Sequence, residues 1–222
     1  MSRRITLLDG FVLAAIILVG LIHLPYPFDG DQALFTVGAS KVYRGATLYR
    51  DFWDLKQPGI FGFYLLGGML FGFTEIGIHT FELLYMITLA LVLRFTISNQ
   101  FESKSIASLL PLLTVGVYYC VVRSWHLTQV EGLVGLPMFL CAWLVAEGVQ
   151  KDEGRTTRCF LSGLMGGIVL LFKFLFLPIV LSFWISAVAY AVFSKRARIS
   201  AIASRIGVPI VLGMLLPGSV AG

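Results

Sequence analysis

Residues 29–58 read DGDQALFTVGASKVYRGATLYRDFWDLKQP, with four carboxylates (Asp29, Asp31, Asp51, Asp54) and four cations (Lys41, Arg44, Arg50, Lys56). The segments on either side are apolar enough to live in lipid. Charged side chains are expensive at the bilayer centre, so a stretch like this belongs in water or at the interface, and its flanks belong in the membrane. Composition agrees. Hydrophobic residues make up 58% of the 222 residues and charged ones only 13%, with a mean hydropathy of +0.88. A soluble domain has roughly 45–50% apolar and about 25% charged residues. The expected fold class is therefore all-α: a polytopic transmembrane helical bundle, a single membrane domain over residues 1–222, whose outer-face loop carries interfacial helices.

The net charge of +5 does not call for nucleic acid, because basic residues collect on the cytoplasmic loops of membrane proteins. Cys120, Cys141 and Cys159 lie in or beside apolar segments without metal-ligand spacing, and read as small buried hydrophobes. The apolar run from Ile5 to Leu24 is longer than a signal-peptide core and lacks a small-residue cleavage site, so it is kept as a first span. The chain stops at Gly222 inside an apolar stretch that starts near Ile206, and is expected to be part of a longer protein.

A span needs about 20 apolar residues. Spans are expected at about 7–24, 77–97, 105–122, 132–149, 159–175, 178–193 and 206–222, with an outer loop over 25–76. The long run Cys159–Phe193 is divided near Lys173–Pro178, and Pro58–Phe73 is too short to cross with ease. If Pro58–Phe73 lies along the interface, the clusters Arg3/Arg4, Arg94/Lys104, Lys151/Arg155/Arg158 and Lys195/Arg196/Arg198/Arg205 all fall on one side. The positive-inside rule makes that side the cytoplasm, with the N-terminus on it. The outer face then receives 25–76, the Arg123–Glu131 loop and the Lys173–Pro178 hinge. Within the large loop, Gln32–Arg44 has helical apolar spacing and reads as an interfacial helix, capped by Asp31 and stopped by Gly45.

Several of these residues form a known pattern. Asp31-Gln32-Ala33, then Gly45, then Tyr49-Arg50-Asp51-Phe52-Trp53-Asp54-Leu55-Lys56-Gln57-Pro58-Gly59 resembles the first outer loop of GT-C glycosyltransferases. These are the polyprenyl-phosphate-sugar-dependent enzymes related to protein O-mannosyltransferases and the lipid A aminoarabinose transferase. Family members show an Asp-Glu pair, a glycine about fourteen residues on, then Tyr-x-Asp and Lys-Pro-Pro. Glu131 at the start of a span and Gly163…Gly166-Gly167…Phe172-Lys173 add to the likeness. It covers nearly the whole chain but only the N-terminal half of a typical member. Gln32 replaces the second acid of the pair, and Gln57 replaces the first proline.

The resemblance implies a GT-C-like bundle and an inverting, hexosyl- or pentosyl-type transferase. The donor would be a sugar on undecaprenyl or dolichyl phosphate, and the acceptor a glycan, lipid or protein at the outer face, in the cell envelope and most simply the bacterial inner membrane. Such chemistry needs a carboxylate to take the acceptor's proton and a cation to stabilise the leaving phosphate. Asp31 matches the family's general base, and Asp29 is either a supporting acid or a solvated loop residue. Lys56 and Lys173 are the candidates for the lipid phosphate, against ordinary snorkelling to the interface. Glu131 is a candidate for positioning the acceptor or binding a divalent cation, against a first-turn acid favoured by the helix dipole. His126 and Arg123 share its loop. Tyr49, Asp51, Trp53 and Asp54 are expected to shape the loop or hold a sugar, while His23 and His79 show no partner pattern. No metal site and no cofactor follows from the spacing, and a divalent cation stays open. Two other classes remain: a transporter, which would place ionisable residues at mid-membrane in two related halves, and a non-catalytic assembly or lipid-binding membrane protein.

Overall fold

The structure is a computed structural model that describes residues 6–193 and 199–221. The expectations placed on Arg3/Arg4 and on Lys195–Arg198 lie outside those residues. The described chain is an all-α polytopic helical bundle with no strand. Its helices are α1 (Leu7–His23), α2 (Asp31–Tyr43), α3 (Pro58–Phe71) and α4 (Glu75–Ile97), then α5 (Lys104–Val121), α6 (Val130–Gln150), α7 (Arg155–Phe172), α8 (Phe174–Phe193) and α9 (Ser200–Ser219). Among the described residues, α4, α5, α6, α8 and α9 are long and apolar enough to cross a membrane, and α1 and α3 are shorter apolar helices. The chain divides into two compact units, residues 1–53 with 61–129, and residues 54–60 with 130–222.

In the first unit α1 and α4 run antiparallel. Thr6 and Asp9 form a reciprocal capping box at the start of α1, and Arg94 in the last turn of α4 donates from two nitrogens to the Asp9 carboxylate. At the other end, His79 near the start of α4 bonds the Leu24 carbonyl through Nδ1 at 3.2 Å. His23, at the end of α1, packs on Tyr119 near the end of α5, so α5 runs parallel to α1. Helix α5 contains Pro111, followed by a π-helical turn over Leu112–Gly116, where the proline has removed one ladder donor. Helix α3 folds back along the first half of α4, with Phe63 against Phe81 and Tyr85. Helix α2 buries Phe35 and Ala39, and Phe35 meets Phe61 and Tyr64 edge to face.

In the second unit α7 is the centre, packed against α6 and α9. Helices in lipid gain little from apolar burial and associate where small residues let backbones approach. Gly163 and Gly167 on α7 and Gly213 on α9 do this: a Cβ at any of them would strike the backbone of the facing helix. The buried polar groups here are paired. Trp184 Nε1 donates to Ser162 Oγ at 3.0 Å, and Ser162 donates to the Cys141 carbonyl at 2.8 Å. Cys141 and Cys159 are buried as expected, but Cys120 is exposed on α5, because it lies next to Tyr119, which takes the inward-facing position.

Candidate active site

Asp31 is the first residue of α2 and half-buried. It does not cap that helix as expected. Gly30 occupies the cap with φ +54°, and no side chain closes the first turn. The carboxylate therefore sits in the first turn, where the helix dipole favours a negative charge. Exposed Asp29 supports the turn through its backbone, its N–H donating to Gln32 Oε1 at 3.4 Å and its carbonyl accepting from the Gln32 N–H at 3.2 Å. Helix α2 ends on Gly45 at φ +96°, with Gly45 N–H bonded to Val42 O and Ala46 N–H to Lys41 O. This is the Schellman arrangement that glycine favours.

The loop beyond is shaped by its own side chains. Tyr49 takes φ +67° and its N–H donates to the Phe52 carbonyl at 2.7 Å. Asp51 accepts from the Thr47 N–H and from Arg50. The Arg50 guanidinium, and next the Thr47 N–H, hold the Asp51 carboxyl below the usual carboxylate range. A depressed folded value adds stability above the unfolded pKa and loses it as pH falls through the folded one, so the contribution of this contact to the turn is present at neutral pH. Trp53 is exposed. Asp54 Oδ1 accepts the Lys56 N–H at 2.7 Å, setting the chain for its entry into α3.

Lys173 and Glu131 come together in the second unit. Helix α7 stops at Phe172, and Lys173 is extended (φ −161°, ψ 109°) before α8 begins. Its ammonium pairs with the Glu131 carboxylate in the first turn of α6. Gly59 brings the start of α3, just beyond Lys56, close to the same break. A Cβ there would lie 2.7 Å from the Leu171 carbonyl, so the absence of a side chain lets the start of α3 abut the end of α7. Lys56 interacts electrostatically with the same Glu131 carboxylate. A cation at this break suits the negative charge of a phosphate ester.

Arg123 and His126 lie exposed on the loop between α5 and α6, and His126 stacks on Trp125 with ring centroids 4.6 Å apart. What holds this loop was not read from the sequence. Gln32, fully buried, donates its side-chain amide to the carbonyls of Ser124 (2.6 Å) and Leu127. Glu82, inside α4 and 1% exposed, accepts from Tyr118 (2.6 Å) and Thr128 (3.0 Å). An acid within an apolar span was the available signal, and Gln32 stood out as the departure from the Asp-Glu pair. Among the described residues, no cluster of three His, Cys, Asp or Glu side chains could hold a metal ion.

The sequence profile described as dolichyl-phosphate-mannose-protein mannosyltransferase matches residues 56–220, which takes in Lys56, Glu131, Lys173 and the glycines of α7. No curated protein and no solved structure gives a significant match. With well over half of its length matched, the chain belongs to the dolichyl-phosphate-mannose-protein mannosyltransferase family and is an integral membrane glycosyltransferase of the GT-C type.

Proposed function

We propose that the protein transfers a sugar from a polyprenyl-phosphate-linked donor to an acceptor hydroxyl or amine at the outer face, with inversion at the anomeric carbon. Asp31 takes the proton of the acceptor nucleophile as the new bond to C1 forms. The bond from C1 to the phosphate oxygen breaks, and its electron pair leaves on the polyprenyl phosphate, whose charge Lys56 and Lys173 stabilise. The observation that carries this reading is the Lys173–Glu131 ion pair at the break between α7 and α8, with the start of α3, just beyond Lys56, packed against the end of α7. The printed family description, which names a dolichyl-phosphate sugar, points the same way.

Orientation is part of the reading. The antiparallel run of α1 and α4, with Asp9 meeting Arg94 at one end, supports an even number of crossings between them. Helix α3 has 14 residues, about 21 Å at 1.5 Å per residue, short of a ~30 Å hydrocarbon core. Both facts favour α2 and α3 on one side, with the N-terminus and Arg94 in the cytoplasm of a bacterial inner membrane. The test is Asp31→Asn in the full-length protein. Transfer from dolichyl-phosphate mannose, followed as dolichyl phosphate released, should fall at least a hundredfold while dolichyl phosphate binding is unchanged. Turnover within a few-fold of the parent would remove Asp31 as the base.

A further inference from the structure

Glu82 has no role in that chemistry, yet a carboxylate buried inside an apolar helix is costly unless its partners are fixed. Its partners are the Tyr118 hydroxyl and the Thr128 hydroxyl. Thr128 is itself unusual, with φ +54°. A β-branched residue adopts the left-handed region only when its surroundings impose it. Here every polar group of Thr128 is engaged. Its N–H donates to Tyr118 Oη at 3.3 Å, its hydroxyl donates to Glu82 Oε2 at 3.0 Å, and its carbonyl accepts from Tyr64 Oη at 3.1 Å. Tyr118 thus bridges Glu82 and the Thr128 backbone. One residue earlier, Leu127 O is gripped by Gln32, the neighbour of Asp31 on α2. The segment so pinned bears Arg123 and the stacked Trp125–His126 pair.

We propose that Glu82 is a positioning residue: by holding Thr128 in its left-handed conformation it fixes the loop Arg123–Gln129, and so the placement of Arg123 and His126 beside the helix that begins at Asp31. The alternative for a buried acid at this depth is bulk stability of the bundle. The two differ in what a glycine at 128 would do, since glycine enters the left-handed region without strain and would no longer need the clamp. The consequence for transfer rests on the function proposed above, whereas the conformation of the loop does not.

The experiment uses the full-length protein in nanodiscs, labelled with 5-fluorotryptophan, with the Trp125 signal assigned through Trp125→Phe. In the parent protein the Trp125 signal should be sharp, and His126→Ala, which removes the ring stacked on it, should move it. Glu82→Ala should move or broaden that signal, leaving the Trp184 signal in place. Thr128→Val, which keeps Glu82 and the side-chain volume but removes the donated hydrogen bond, should do the same, and it serves if Glu82→Ala does not fold. Glu82→Gln, which still accepts one bond, should keep most of the parent signal. The double variant Glu82→Ala, Thr128→Gly should recover the parent signal. In Thr128→Val, release of dolichyl phosphate from dolichyl-phosphate mannose should fall at least tenfold with dolichyl phosphate affinity unchanged. A parent-like Trp125 signal in Thr128→Val, or a double variant as disturbed as Glu82→Ala, overturns the proposal. A disturbed signal with undiminished turnover would leave the clamp standing but remove its role in transfer, a failure distinct from that of Asp31, whose Asn variant should not move the Trp125 signal.

Discussion

A lysine that ends one apolar helix and precedes another must carry its charge to a partner or to water, and Lys173 takes the Glu131 carboxylate. An incoming phosphate would meet Lys173 and Lys56 on equal terms with that carboxylate. Lys56→Ala and Lys173→Ala should each weaken dolichyl phosphate binding by about 1–3 kcal/mol, the scale of a charge-assisted contact, as read by titration of the purified protein. Unchanged affinity in either variant would remove that lysine from the site. Gln32 shows the opposite kind of residue, one whose role is invisible without its neighbours. As a letter it is a departure from an acid pair; in the fold its amide nitrogen serves two carbonyls in a fully buried place. Gln32→Glu would restore the family's acid but point carboxylate oxygens at carbonyl oxygens. It should destabilise the protein by about 1–3 kcal/mol, the cost of buried groups left unsatisfied, measured by thermal unfolding in detergent. A neutral result would mean that the two carbonyls find other donors.

Helices were the legible level, because apolar runs and their charged breaks state length and period directly. Gly45 announced the end of α2, and it does end there in the left-handed conformation. The illegible part lies in side chains whose partners are far along the chain. Glu82 meets Thr128, and Gln32 meets Leu127, and no local pattern records either pairing. Asp31 was misplaced by a single position for a related reason, since Asp29, Gly30 and Asp31 are all acceptable cap residues, and the tertiary hold on Gln32 decides among them. Glycines divide in the same way. Gly163 and Gly167 stand in the sequence only as part of a family pattern, and in the fold each faces the backbone of α9. Gly163→Ala should therefore loosen α7 from α9 and cost about 1–3 kcal/mol as overpacking. Gly62→Ala, with nothing within 4 Å of the added Cβ, should raise helix stability by roughly 0.5–1 kcal/mol. Thermal unfolding of the two variants in parallel checks both signs, and equal shifts would deny the close packing.

At the scale of the whole chain, composition alone carried the fold class, since 58% hydrophobic residues with 13% charged leave few architectures other than a bundle in lipid. Sidedness is a parity problem instead. It turns on α3, which is apolar like a span but lacks the length of one. The antiparallel pair α1 and α4, joined at one end by Asp9 and Arg94, favours an even number of crossings between them. With α3 not crossing, Gly30 and Asp152 are separated by α4, α5 and α6, an odd number, and face opposite sides. With α3 crossing they face the same side. Both positions are exposed, and of the three native cysteines only Cys120 is exposed, so Cys120→Ser gives a quiet background. On it, Gly30→Cys should react with a membrane-impermeant maleimide in intact cells, and Asp152→Cys only after permeabilisation. Labelling of both from outside would make α3 a span and undo the assignment of Lys56 to the outer face. Labelling of Asp152→Cys alone would invert the protein, placing Asp31 and both lysines in the cytoplasm, where an outer-face acceptor would be out of reach.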